Sequence, residues 1–319
     1  MTISTIAVVG SGYMGGGIAQ VLALAGCSVV LSDQSAEIAS ANRERIIAEA
    51  GAFAEQKLFV ADAAETIARN VRAAASVEEA VEGVEFVEEA VPEIPAVKAE
   101  MLGRISAANP TAIIGSNTST ISIGELATHV QNPERFLGVH FSNPAPFIPG
   151  VELIPHDSTR SSAVDAVATL LRSAGKSPAT VTDATGFVVN RLQYALFHEA
   201  TQLMEEGVAT ADDIDLIVRT TFGMRLPFFG PFAIADMAGL DVYEFCYRSL
   251  QTRFTERFAT PDALRELVEQ GKLGTKTGAG FRDIDPARIA ELIAYRNEAY
   301  VRVQQLIDEL GPHPFDERT

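Results

Sequence analysis

The chain has 319 residues, 47% of them apolar and 21% charged, a composition that fits a folded globular protein and excludes a disordered or fibrous one. Its 42 acidic against 25 basic residues give a formal net charge of −17, so the surface on average repels a phosphate backbone or an anionic bilayer, and neither nucleic acid nor membrane is an expected partner. Two cysteines, Cys27 and Cys246, do not make a disulfide framework or a Cys-based zinc site, and with no basic leader and no apolar run of about 18 residues the expected location is the cytoplasm.

From Thr5 to Asp33 the sequence reads as one βαβ unit. An apolar run (Ile6-Ala7-Val8-Val9) meets a glycine-rich turn, then a helical stretch (Ile18 to Ala25), then a second apolar run (Val29-Val30-Leu31) ending at Asp33. A helical tract rich in Ala, Glu and Arg is predicted from Ser35 to about Asn70, an excursion that leaves the sheet and returns. Ser76 with Glu79 forms a capping-box signature, and buried strands are predicted at Val84 to Val91, Ala112 to Gly115, Phe136 to Phe141 and Gly150 to Ile154. Strand alternating with helix implies an α/β fold with a doubly wound, mainly parallel sheet. Beyond Ala179-Thr180-Val181-Thr182 the strand signals stop, and from Phe187 onward the spacing is helical. The boundary is expected near Ala184, giving domains 1–184 and 185–319. The last helix, opened by Asp285-Pro286 and closed by Gly311-Pro312, carries Ile289, Leu292, Ile293, Tyr300, Val303, Leu306 and Leu310 on one stripe that needs a partner surface.

Gly10-Ser11-Gly12-Tyr13-Met14-Gly15 fits G-x-G-x-x-G between the first strand and the first helix. There the first glycine allows a tight turn, the second lets the backbone approach a pyrophosphate, and the third permits close helix–strand packing. Asp33 ends the next strand at the distance expected of a carboxylate that accepts ribose hydroxyls. Because that carboxylate repels a 2′-phosphate and no Arg precedes Arg43, the expected cofactor is NAD rather than NADP.

Of five histidines, His140 is the one placed at the carboxyl end of a buried strand and followed by a polar turn, Ser142-Asn143-Pro144. Glu152 lies on the next strand segment among apolar neighbours, where it reads either as an edge residue or as the carboxylate that fixes the imidazole tautomer and stabilises the imidazolium. Such a pair suits alcohol oxidation. Ser116-Asn117-Thr118-Ser119-Thr120 follows another buried run and reads equally as a set of groups that orient a substrate oxygen or nicotinamide, or as an ordinary helix N-cap.

With these motifs in order, joined by Gly186-Phe187-x-x-Asn190-Arg191 and Lys276-Thr277-Gly278-x-Gly280-Phe281, residues 3 to 282 resemble the L-3-hydroxyacyl-CoA dehydrogenase family. The resemblance implies a Rossmann-type NAD domain, then an all-helical domain that forms a homodimer, with the active site in the cleft between them and a role in fatty-acid metabolism. It further implies His140 as general base oriented by Glu152, Ser119 and Asn190 on the substrate oxygens, and Glu93, Lys98, Asn117, Asn143 and Lys276 along the NAD or its nicotinamide end. Departures stand beside the matches. Where fatty-acyl enzymes have an aromatic pair after the histidine and Lys-Leu before Val-Glu, this chain has Phe141-Ser142 and Pro149-Gly150. Where the family contacts CoA from the helical tail, it offers Glu49 and Gln56, with Lys57 the nearest basic residue. These departures resemble relatives that oxidise 3-hydroxy acids or other alcohols without CoA, such as carnitine, gulonate and pyridine-alcohol dehydrogenases. The CoA thioester leads, the free hydroxy acid or alcohol follows, and a silent crystallin-like structural protein on the same scaffold is the remote alternative.

Overall fold

In the computed structural model, which describes residues 3–311, the opening apolar run is β1 (Thr5–Val9), followed by α1 (Tyr13–Leu24) and β2 (Ser28–Ser32). The helical excursion is two helices, α2 (Ala36–Glu55) and α3 (Ala63–Asn70), rather than one tract. The break has a local cause. Lys57 takes a left-handed conformation (φ 61°), and the Leu58 N–H returns to the Phe53 carbonyl, closing α2 as a Schellman turn. Glycine normally marks such a stop, so a lysine there leaves no sequence signal.

A short strand absent from the sequence prediction, β3 (Val71–Ala73), then pairs with β2. It is followed by α4 (Val77–Val81), β4 (Phe86–Glu89), α5 (Pro95–Ala108), β5 (Ile113–Ser116), α6 (Ile123–Ala127), β6 (Phe136–Phe141), β7 (Gly150–Pro155), α7 (Ser161–Ser173) and β8 (Ser177–Thr180). The capping box of α4 is shifted by one residue: Ser76 Oγ accepts the Glu79 N–H, while Glu79 accepts the N–H of Ala75.

Among the described residues these strands form one sheet in the order β3-β2-β1-β4-β5-β6-β7-β8. All neighbours are parallel except β6 and β7. The order reverses between β1 and β4, so a crevice opens above the carboxyl ends of those strands, where doubly wound sheets bind their ligands. Alternate side chains build a core on each face. Ile6, Val8, Phe86, Val139 and Leu153 pack with α1, α2, α3 and α7 residues; Ala7, Val9, Val87, Ile114 and Phe136 pack with α4, α5 and α6 residues.

The chain divides into two compact units between Phe197 and His198, within α8 (Val189–Glu205). The first unit thus holds the head of α8 beyond Ala184. The second consists of helices, α9 (Ala211–Thr220), α10 (Pro231–Ala238), α11 (Leu240–Phe254), α12 (Asp262–Glu269) and α13 (Ile289–Leu310), with isolated bridges around Ala279. Its core centres on Ala235, Leu240 and Leu264. On α13, Tyr295 and Tyr300 meet the Phe229 ring edge-on at 6.0 and 6.4 Å and Ala299 is buried, whereas Ile293, Leu306 and Leu310 of the expected stripe are exposed. Gly311 ends the helix as expected; Pro312 lies outside the described residues.

Candidate active site

The antiparallel register of β6 and β7 sets His140 directly opposite Glu152. Cross-strand partners project from the same face, so the pairing itself delivers imidazole and carboxylate together. Nδ1 of His140 lies 2.7 Å from Oε2 of Glu152, and both residues are buried, 6% and 5% exposed. A carboxylate only accepts, so Nδ1 carries the proton and Nε2 faces outward as an acceptor. The other carboxylate oxygen of Glu152 accepts the N–H groups of Val188 (2.8 Å) and Val189 (3.1 Å), the first donors of α8. These bonds at a helix N-terminus hold the carboxylate in one orientation. The chain reaches that helix through two successive left-handed residues, Gly186 (φ 77°) and Phe187 (φ 48°). For Phe187 this pose costs about 1 kcal/mol, and it lays the buried ring 5.8 Å from the imidazole, shielding the pair from water.

Ser119 Oγ lies 3.1 Å from His140 Nε2, so with Nδ1 protonated the hydroxyl donates to Nε2. Its loop is fixed from beneath by Glu93. Oε1 of Glu93 accepts from the Thr118 hydroxyl (2.7 Å), the N–H groups of Ser119 (2.8 Å) and Thr120 (2.9 Å), and the Thr120 hydroxyl (3.1 Å). Burial alone would raise the Glu93 carboxyl, but these donors and nearby Lys98 outweigh it and hold it below the usual carboxylate range. Asn190, at the head of α8, donates its amide to the Ser119 carbonyl at 2.9 Å. Asn117 accepts the Phe141 N–H at 2.8 Å, tying the end of β5 to that of β6.

The crevice beside β1 has a volume of about 350 Å³ and is lined by Gly10, Gly12, Tyr13, Met14, Asp33 and Gln34 on one side and by Val77, Ala90 to Pro92, Val97 and Met101 on the other. Its glycines fit a dinucleotide. A Cβ on Gly10 would fall 2.6 Å from the Ala90 backbone, and one on Gly15 would strike the Gly10 carbonyl at 1.8 Å. A Cβ on Gly12 would meet no atom of the described residues within 4 Å, so what it would obstruct is the space a pyrophosphate needs. Asp33 is held by the Ser11 N–H and hydroxyl (2.7 and 2.6 Å) and by the Gln34 N–H (2.8 Å), leaving carboxylate lone pairs for a ribose diol. Among the described residues no lysine or arginine lines this crevice to receive a 2′-phosphate. The residues present therefore fit NAD.

The first unit brings His140, Glu152, Ser119, Asn190 and Glu93 into one network, with Asn117 on the Phe141 N–H beside it, and collects Gly10, Gly12, Tyr13, Met14 and Asp33 around the crevice, with Gly15 packed behind Gly10. Asn143 is exposed after β6, next to a cis bond to Pro144. Lys98 is 1% exposed, with its ammonium on both Glu89 oxygens (2.9 and 3.2 Å), the Val91 carbonyl (3.2 Å) and Glu93 (3.4 Å). It supports the site rather than presenting a free cation. Lys276 belongs to the second unit, in a turn where Gly274 and Gly280 close against Asp236, and its ammonium lies 2.7 Å from Asp241. Glu89, bonded to Lys98 and Ser116, is a supporting residue that the sequence does not single out, as is Lys176, and Phe187 stands there only as part of a motif, without a role. Three acids inside the apolar run Val84 to Val91, two of them adjacent, were the available signal for Glu89. Lys176 donates to the carbonyls of Ala145, Pro146 and Ile148 and so staples the turn after Asn143, a role with no local pattern.

Comparison with known proteins follows the same lines. Residues 5–184 match "3-hydroxyacyl-CoA dehydrogenase, NAD binding domain", and residues 186–284 match "3-hydroxyacyl-CoA dehydrogenase, C-terminal domain". The chain is 34% identical over 308 residues, 96% of its length and 99% of the relative's, to 5-formyl-3-hydroxy-2-methylpyridine 4-carboxylate 5-dehydrogenase of Mesorhizobium japonicum. It is 34% identical to human mitochondrial hydroxyacyl-coenzyme A dehydrogenase, covering 88% of this chain and 90% of that one. The crystal structure of a 3-hydroxyacyl-CoA dehydrogenase from Archaeoglobus fulgidus superposes with a TM-score of 0.79 at 32% identity, over 95% of this chain and all of the other.

Proposed function

Because the chain belongs to the 3-hydroxyacyl-CoA dehydrogenase family, we propose that it oxidises the hydroxyl of a 3-hydroxyacyl substrate to the 3-oxo compound with NAD, using His140 as base and Glu152 as its partner. The observation that carries this reading is the 2.7 Å bond between Nδ1 and the Glu152 carboxylate, with Nε2 left as the acceptor facing Ser119. NAD, when bound, supplies the hydride acceptor. Nε2 takes the hydroxyl proton as the carbon–hydrogen bond breaks, and the imidazolium so formed is balanced by Glu152. Ser119 then turns its hydroxyl to the substrate oxygen, holding it beside the base. In the reverse direction the imidazolium returns the proton to the carbonyl oxygen.

The CoA thioester is the first substrate to test. A non-CoA hydroxy acid or alcohol is the second reading, supported by the tail: the positions that would face a CoA phosphate hold Glu49, paired with Arg45, and Gln56, neither of them a cation. The relative matched over nearly the whole chain also acts, by its name, on a pyridine carboxylate. NADH consumption with acetoacetyl-CoA, free 3-oxo acids, dehydrocarnitine and a pyridine carbaldehyde separates these readings; no turnover with any of them counts for the crystallin-like alternative.

We further propose a homodimer formed through the helical unit. Phe232, Phe245, Leu306 and Leu310 are among its exposed apolar side chains, more than isolated surface residues require. Light scattering at 34.1 kDa, one protomer's mass, would reject the dimer. A reducing location such as the cytoplasm is supported by two free cysteines, one buried and one exposed.

A further inference from the structure

Arg45 of α2 lies outside the glycine motif, yet it is built into the turn that the motif forms. Its Nη2 donates to the carbonyls of Ser11 (3.2 Å) and Gly12 (3.1 Å), its Nη1 to Glu49 (2.7 Å) and its Nε to Asn42 Oδ1 (3.2 Å). Asn42 in turn donates to Ser11 Oγ (2.9 Å), and Ser11 Oγ donates to Asp33 (2.6 Å). One hydrogen-bonded chain thus runs from α2 through the turn to the ribose carboxylate. Gly16 makes room for it: a Cβ there would fall 2.6 Å from Arg45 Nη2 and 2.9 Å from Ile46.

The consequence follows from peptide geometry. In a trans, planar peptide unit the C=O and N–H point in opposite directions. A guanidinium that grips the Ser11 and Gly12 carbonyls therefore fixes the opposed N–H groups of Gly12 and Tyr13, both of which line the crevice. These donors belong to the start of α1, where intrahelical partners are lacking and an anion is favoured. The planar guanidinium, held by Asn42 on Nε and by Glu49 on Nη1, keeps Nη2 on both carbonyls; an ammonium would lack those two side anchors. With Glu49 on its other edge, Arg45 acts through orientation more than through net charge.

We propose that Arg45 is a positioning residue for the dinucleotide's pyrophosphate, holding the Ser11–Gly12 turn so that the Gly12 and Tyr13 N–H groups stay aimed into the crevice. The inference rests on the NAD-binding reading and deepens it. Its test is equilibrium binding to the full chain: NADH followed by its fluorescence, with ADP and adenosine as competitors, for wild type, Arg45→Ala and Arg45→Lys.

Arg45→Ala is expected to weaken NADH and ADP by about tenfold, the scale of one lost charge-assisted bond, while adenosine binding changes by less than about twofold. The KM for NAD rises while kcat at saturating NAD is retained. Arg45→Lys, which loses the bonds that Nε and Nη1 make to Asn42 and Glu49, falls between. Unchanged NADH and ADP binding overturns the proposal. So does an equal loss for adenosine, which would mean that Arg45 only fastens α2 to the turn. Should Arg45→Ala not fold, Arg45→Lys carries the same ADP-against-adenosine comparison. Wild type that binds neither NADH nor ADP sinks the NAD reading itself, a result distinct from any difference between variants.

Discussion

Glu152 holds His140 with one carboxylate oxygen and the head of α8 with the other, at 2.7 Å to Nδ1 and 2.8 and 3.1 Å to the N–H groups of Val188 and Val189. The imidazole is thereby fixed in rotation and tautomer before any substrate arrives. His140→Gln removes the base while keeping a side chain of similar reach. Turnover is expected to fall by about 10²- to 10⁴-fold, the usual contribution of a positioned base. NADH binding measured by fluorescence should stay as in wild type, and turnover within a factor of a few would remove His140 from the mechanism.

Glu152→Gln keeps the shape and discards the charge. The amide can still touch Nδ1, but it no longer compensates the imidazolium, and its NH₂ group can turn the ring to the wrong tautomer. A loss in kcat of at least about a hundredfold is expected, with a smaller change in KM. Because the same substitution weakens the anchorage of Val188 and Val189, amide hydrogen exchange at those positions should quicken as well. Normal protection there would show that α8 does not depend on the carboxylate.

Much of this pair was legible in the sequence, because its position depends on strand order and register alone. His140 closes a buried strand and Glu152 sits in the middle of the next, so any hairpin-like pairing of β6 with β7 brings them close. The crevice was legible for the same kind of reason, its glycines and Asp33 being spaced along one βαβ unit. What stayed hidden depends on contacts distant in sequence or on rare backbone conformations. Lys57 ends α2 where glycine would have announced the stop, and Phe187 takes a left-handed pose that its residue type gives no cause to expect. β3 has three residues at a sheet edge, too few for a periodic signal. The resemblance implies Lys98 along the cofactor, yet its surroundings, Glu89 and Glu93, are assembled only once α5 packs on β4.

The Ser119 loop hangs on a single carboxylate oxygen of Glu93. Glu93→Ala leaves two backbone N–H groups and two hydroxyls without that acceptor, and Ser119 loses its fixed place beside Nε2. A fall in kcat/KM of about ten- to a hundredfold is expected from losing bonds to a charged acceptor, with His140 and Glu152 untouched. The pH dependence has a definite sign. With the folded carboxyl held below its unfolded value, Glu93 contributes stability above that value and loses it as the pH falls through the depressed one. Acid unfolding of Glu93→Ala should accordingly be shallower than that of wild type in the region below about pH 4.5. Superimposable acid transitions would argue against the network.

Glu88 presents the opposite case. It precedes Glu89 on β4 but points to the other face of the sheet, into the core over Gly115, where a glycine Cβ would fall 2.5 Å from its Oε2. Phe86 and Val139 flank it, and neither of its oxygens has a hydrogen-bond partner among the described residues. Burial, reinforced by the negative charge of Glu89 and only partly offset by Lys98, pushes its carboxyl well above the ordinary value of 4.5. The folded state thus keeps a proton that the unfolded chain releases. Stability contributed at low pH is lost as the pH rises from the unfolded value toward the raised folded one. Glu88→Met fills similar space with no polar atom to desolvate, and at neutral pH a gain of about 1–3 kcal/mol is expected. The gain should be smallest near pH 4.5 and widen toward neutrality. Melting temperatures of the two proteins, taken across that range, check both the sign and the slope. Parallel curves would mean that Glu88 carries no retained proton, and a less stable variant at neutral pH would mean that its carboxyl has a partner.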